Sequence, residues 1–143
     1  ITGKPPVTLS QITPIARLTT EYGVFVLPEN SPFKTMKDVV EQMKKDPGSV
    51  RIGHPGAGSV GDFCIKLIGA LTGAQLLGVP YAGAAPAVTA LRGGHIDGVV
   101  LALGALSAHV KAGAFRALVS SSRVPDLELQ RVGELARKTG LVK

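Results

Sequence analysis

Apolar and polar positions along the chain fall into two rhythms. Ile12–Thr20 and Tyr22–Leu27 are apolar, β-branched runs ended by Pro28, and they read as strands. Thr35-Met36-Lys37-Asp38 then sets a hydroxyl three residues ahead of a carboxylate, and Met36, Val39, Val40 and Met43 follow at i, i+3, i+4 and i+7. That spacing predicts a capped amphipathic helix, stopped by Pro47-Gly48. Beyond it the two rhythms alternate. Strands are expected at Val50–His54, Leu76–Tyr81, Ile96–Leu103 and Phe115–Ser120. Helices are expected at Ser59–Leu71, Ala84–Arg92 and Gly104–Ala112, with a closing helix at Leu127–Lys138 and Gly140 just past it. Alternation of this length implies right-handed crossovers and a mainly parallel sheet within an α/β, three-layer domain. No repeat or linker divides the chain, so residues 1–143 are expected to form a single domain.

Composition narrows the function more than the fold. A length of 143 residues suits one core. Hydrophobic residues at 45% against 18% charged exclude a disordered chain, and aromatics at 4% leave the core to Val, Leu, Ile and Ala. The net charge of +6 raises nucleic acid or an anionic membrane as a partner. Basic residues are scattered, however, with Lys44-Lys45 the longest run and no interleaved aromatics, so no nucleic-acid partner is expected. No apolar run reaches the ~18–20 residues of a membrane span. The chain opens at Ile1 without a charged-then-apolar leader, which reads as a processed product or an excised piece. Cys64 is the single cysteine; between Phe63 and Ile65 it reads as a core filler, not a nucleophile.

The strongest local signal is Gly53-His54-Pro55-Gly56-Ala57-Gly58-Ser59-Val60-Gly61, between a strand and an apolar helix. Small residues let the backbone approach a ligand, and amides at a helix start favour an anion. Gly56–Gly61 matches the dinucleotide pattern GxGxxG, but the acid expected about 20 residues on is missing, and no Lys precedes Ser59 as a phosphate loop requires. Two further junctions, Pro80–Pro86 and Leu101–Gly104, should share the carboxyl edge of the sheet and form one uncharged, amide-lined surface. His95 and Asp97 should lie on the opposite edge. His54 beside Ser59 lacks both an elbow sequence and an orienting carboxylate, and no metal-ligand spacing is present, so neither catalysis nor a cofactor is expected.

These residues also carry a family resemblance. Ile12–Leu18, Val26-Leu27-Pro28, Ser31–Thr35, Asp46-Pro47-Gly48, Gly56–Ser59, Val79–Gly83, Ala85-Pro86-Ala87, Gly93–Asp97 and Lys111-Ala112-Gly113 resemble, in order, the second domain of solute-binding receptors of tripartite tricarboxylate transporters, the Bug receptors. The match runs from about residue 12 to 122. The resemblance implies one lobe of a type II periplasmic-binding-protein fold, a periplasmic or otherwise extracytoplasmic setting, and no enzymatic activity. It also implies a small organic carboxylate as ligand, a membrane permease as partner and a first lobe that is missing here. By position it implies ligand contacts from His54, Gly56, Ala57, Gly58 and Ser59, flanked by Tyr81, Gly83, Ala84, Ala85 and Leu103. The family usually has Ser in place of His54, His in place of Asp62, and a polar or acidic residue near Ala102-Leu103. An acid at 62 is compatible with a carboxylate site if it faces away or if the ligand carries a cation. Two other readings stand beside this one: a nucleotide-binding α/β enzyme using Gly56–Gly61, and a solitary interaction module whose ligand site has decayed. The uncharged face left by one lobe is expected to favour self-association.

Overall fold

A computed structural model describes residues 8–16, 18 and 20–121. Five strands form one sheet: β1 (Gly23–Pro28), β2 (Arg51–His54), β3 (Leu77–Pro80), β4 (Gly98–Ala102) and β5 (Phe115–Ser120), in the order β3-β2-β4-β1-β5. Four helices connect them: α1 (Met36–Lys45), α2 (Val60–Thr72), α3 (Ala84–Arg92) and α4 (Leu103–Lys111). β2 pairs parallel with β3 and β4, whereas β1 runs antiparallel to β4 and β5. Four strands therefore point one way and β1 points against them, so the sheet is mainly but not wholly parallel.

Two apolar clusters lie on opposite faces of the sheet. α1 contributes Met36, Val39, Val40 and Met43, and α2 contributes Ile65, to one cluster with Phe25, Leu27, Val50 and Ile52. α3 and α4 cover Val24, Val26, Val99 and Leu101 on the other. Burial on both faces explains why β1 and β4 read as unbroken apolar runs. Each buried Val, Leu, Ile or Phe contributes roughly 1.5–3 kcal/mol. Between Phe25 and Val26 the β1–β5 register shifts, so Leu118 is an extra residue and both it and Val119 join the α1/α2 cluster.

α1 forms as its sequence predicts. Thr35 Oγ1 accepts the Asp38 N–H at 3.2 Å, and Asp38 Oδ2 accepts the Thr35 N–H at 2.8 Å and the Lys34 N–H at 2.9 Å. The first predicted strand does not form: among the described residues of 12–20 none is in a strand, and Ile15 and Leu18 are exposed. Its apolar run lacks strict alternation, Pro14 removes a ladder donor, and no sheet edge pairs with it. The expected helix at Leu127–Lys138 lies outside the described residues. Among the described residues no helix is long and apolar enough to cross a membrane.

Candidate functional site

Because β2, β3 and β4 run parallel, their carboxyl ends at His54, Pro80 and Ala102 share one edge, from which α2, α3 and α4 begin. The loops expected to form a joint surface do meet there: the Tyr81 N–H donates to the His54 carbonyl at 2.9 Å. The antiparallel β1 adds residues that strand-by-strand reading misses. Its start, not its end, reaches this rim, so Tyr22 accepts the Leu103 N–H at 3.0 Å. Gly23 pairs there with Ser121, which donates to the Gly23 carbonyl at 2.8 Å and accepts the Gly23 N–H on Oγ at 3.0 Å. The chain thus enters and leaves the sheet side by side.

α2 sits close on the sheet at this rim. A Cβ on Gly61 would lie 2.2 Å from the Val100 carbonyl and 3.0 Å from His54 Cβ, so only glycine allows the approach.

Within the glycine loop, side chains of the same loop already hold much of the backbone. Ser59 Oγ accepts the Asp62 N–H at 3.2 Å and caps α2. Asp62 Oδ2 accepts the Gly58 N–H at 2.8 Å and a Lys66 ammonium proton at 2.9 Å. The Ser59 N–H donates to the Gly56 carbonyl at 3.3 Å, and the same carbonyl accepts a proton from His54 Nδ1 at 3.0 Å. A carbonyl only accepts, so His54 carries its proton on Nδ1. The His54 ring is buried below the loop, with Nε2 turned toward Gly78. The Gly58 amide, and after it the Lys66 ammonium, hold the Asp62 carboxyl below the usual carboxylate range. Asp62 is therefore turned into its own loop and paired. Ser59-Val60-Gly61-Asp62 repeats the hydroxyl-to-acid spacing of Thr35–Asp38, a signal present in the sequence that identifies this cap.

The next two helix starts differ. Gly83, the N-cap of α3, has φ 122° and ψ −178°, a conformation open to glycine, and no side chain caps the helix. The amides of Ala84 and Ala85 take no partner among the described residues, and Pro86 has no N–H. α4 follows Ala102 with no side-chain cap, and the Gly104 amide is likewise without a described partner. Helix starts of this kind present donors and a positive dipole end to an anion. The Tyr81 ring packs below the rim, in the cluster under α3.

The opposite edge is charged and internally paired. Asp97 receives three hydrogen bonds from Arg51, through its backbone N–H at 2.8 Å and its guanidinium at 3.1 and 3.2 Å, and Glu29 pairs with Arg116. His95 lies over the Gly93 turn that ends α3. Among the described residues no group of three or more His, Cys, Asp or Glu is placed to hold a metal ion. Burial pushes the Cys64 thiol up, away from the reactive thiolate.

A three-layer α/β unit with a rim of helix starts at the carboxyl edge of its parallel strands has the geometry in which open α/β sheets bind ligands. The chain superposes on a TctC solute-binding protein from Polaromonas with a TM-score of 0.74 and 24% identity, over 83% of this chain and 41% of the other. It superposes on MatC from Rhodopseudomonas palustris, solved with bound malate, with a TM-score of 0.69 and 22% identity, over 85% and 41% of the two chains. Over residues 4–139 the sequence matches the tripartite tricarboxylate transporter family receptor, TctC, and the chain belongs to that family. A UPF0065 protein of Pseudomonas sp. (strain P51) is 27% identical over 128 residues, which are 90% of this chain and 38% of that protein. The chain spans less than half the length of these relatives.

Proposed function

We propose that the chain is the second lobe of an extracytoplasmic solute receptor, which holds a small organic carboxylate on main-chain amides and passes it to a membrane permease without chemical change. The observation that carries this reading is the set of amides without described partners at Ala84, Ala85 and Gly104, at helix starts on one edge, beside the pre-shaped Gly56–Ser59 loop. Gly56, Ala57 and Ser59 line the solute from one side, Gly83, Ala84 and Ala85 from the next, and Leu103 marks the third. Tyr81 and His54 support those loops from below, and Gly58 acts through the Asp62 bond that shapes its turn. Family membership and the malate bound by MatC support a carboxylate as solute. The entry and exit of the chain at Gly23 and Ser121 support a first lobe attached across this rim. The nucleotide reading is weaker, because the Gly58 amide that would cradle a phosphate is held by Asp62.

One lobe leaves much of the solute wet. Two or three charge-assisted bonds, at about 1.5–3 kcal/mol each, must offset an association cost of at least ~4 kcal/mol, so binding to this chain is expected at millimolar strength or weaker. Amide NMR of the ¹⁵N-labelled chain, titrated with acetate, succinate, malate and adipate, tests the reading. Ala84, Ala85 and Gly104 should shift most. Shifts confined to the Arg51–Asp97 edge, no rim response to any carboxylate, or micromolar binding of NAD or ATP would each overturn it.

A further inference from the structure

Apolar side chains are exposed as a stripe along α2. Phe63, Leu67 and Leu71, spaced four residues apart, are 61%, 56% and 68% exposed. Together they present on the order of 300–400 Å² of apolar surface, the size of patch that marks a contact site on a soluble protein. A groove of about 120 Å³ opens beside the stripe, between α2 and the β1–β5 pair. Phe25, Met36 and Val119 line it from the domain, and Leu67, Ile68 and Leu71 from α2. An apolar cavity of that order takes a phenyl ring. The exposed face of α2 carries one charge, on Lys66, and Asp62 Oδ2 binds that ammonium one turn back at 2.9 Å.

We infer that a second copy of this chain covers the stripe: the two α2 helices lie antiparallel about a two-fold axis beside Leu67, and Phe63 of each copy seats in the groove of the other. The stripe is its own complement. Phe63 and Leu71 lie one turn to either side of Leu67, so the axis sets Leu67 against its counterpart and brings Phe63 to the level of the partner's Leu71. At that level the groove opens, with Leu67, Ile68, Leu71 and Thr72 as its α2 wall. Phe63 is the one aromatic ring on α2, so this helix supplies both the ring and the wall of the hole that receives it. The contact buries no unpaired charge, because Lys66 stays on its own Asp62 and only its stem flanks the stripe. A face without a charge pattern offers a different protein nothing to select it by, whereas a second copy fits it by symmetry. With the flanking Lys66 stems and Ala70, two stripes bury roughly 1,000 Å² in total, the lower bound for a specific interface. The dimer is therefore weak and reversible, and the net charge of +6 on each copy opposes it most at low salt. The inference does not depend on the solute reading, which uses the starts of α3 and α4.

Sedimentation equilibrium of the full 143-residue chain tests it. A reversible dimer is expected at concentrations on the order of 0.1–1 mM, and added salt should strengthen it. Phe63→Ser should weaken the dimer by at least ~10-fold, whereas Ile15→Ser, which removes a still more exposed apolar side chain elsewhere, should leave it unchanged. Both positions are exposed, so neither change should unfold the domain. With Cys64→Ser to remove the native thiol, Leu67→Cys should close a disulfide between copies under mild oxidation. It should do so at least ~10-fold faster than Leu77→Cys, an exposed position off the stripe. The inference fails if the chain stays monomeric at about 1 mM, or if added salt dissociates the dimer, which would place the contact on charged groups. It fails equally if Phe63→Ser dimerises as tightly as the parent, if Ile15→Ser weakens the dimer as much as Phe63→Ser does, or if Leu67→Cys closes no faster than Leu77→Cys.

Discussion

At the start of α2, Ser59 caps the helix and Asp62 binds the Gly58 amide, while Lys66 balances the Asp62 charge. At the start of α3, on the same edge, Gly83 offers no cap and the amides of Ala84 and Ala85 have no described partner. Both helix starts leave their first two amides without a described partner, Val60 and Gly61 in one and Ala84 and Ala85 in the other, but only the first junction adds a side-chain cap and a held loop amide. Unsatisfied helix-start donors are tolerated where water or a ligand reaches them, and the proposed solute site would set an uncapped junction beside one braced by its own side chains. In that proposal the braced junction would supply rigidity and the uncapped one affinity. The pairing of Asp62 also removes the conflict expected between an acid at this position and an anionic solute.

The contrast is most severely broken at Gly61. Gly61→Val places atoms where the Val100 carbonyl now lies 2.2 Å from an added Cβ, so α2 must lift from the sheet. The expected loss is about 3 kcal/mol, at the top of the usual overpacking range, measured by urea denaturation. A loss under about 1 kcal/mol would mean that α2 seats less closely than described.

Two substitutions sharpen the division. Ala84→Pro deletes one bare amide at the first helical position, where proline is well accepted, so stability should change by less than about 1 kcal/mol. Carboxylate binding should weaken by about 1.5–3 kcal/mol, roughly 10- to 100-fold, read from the NMR titration. Ser59→Ala should lower stability by about 1 kcal/mol through the lost cap while weakening carboxylate binding less than Ala84→Pro does. Equal effects of the two on binding would show that the junctions do not divide the work.

The smallest effect is on pH dependence. Asp62 and Asp38 both have carboxyls held below their ordinary range, Asp62 by the Gly58 amide and then Lys66, Asp38 by the amides of Lys34 and Thr35. A depressed native pKa means the unfolded chain binds protons first as pH falls. Their stabilisation is therefore complete above the unfolded value near 4 and fades as pH drops through the lower native values. Asp62→Asn should flatten the fall in stability below pH ~4 relative to the parent chain, and Asp38→Asn should do so independently. An unchanged acid limb in urea melts of Asp62→Asn would remove the Gly58 bond from the account.

Much of the local structure was legible. Ala84–Arg92 and Phe115–Ser120 form within the bounds their patterns predict, and the Thr35–Asp38 box caps α1 as read. These signals act within one or two turns, so the residues that carry them are neighbours in sequence. The rim was legible as far as it depends on parallel strands: His54, Pro80 and Ala102 do share an edge. The Asp62 partner was written in the sequence too, in the spacing from Ser59, although its acceptance of the Gly58 amide depends on how the loop turns.

Between Tyr22 and Ser120 the sequence by itself determined which segments become helix or strand, which faces are apolar, and that the α2, α3 and α4 starts carry almost no charge. It did not determine that Ile12–Thr20 stays out of the sheet, since an apolar run becomes a strand only where an edge is free to pair with it. Nor did it determine that β1 runs against its neighbours. Strand direction is set by which partners close the sheet around both faces, a choice that leaves no mark on the local pattern of Val24–Leu27. That choice brings Tyr22, Gly23 and Ser121 to the same edge as the helix starts, because only contacts between residues 98 positions apart hold Gly23 to Ser121.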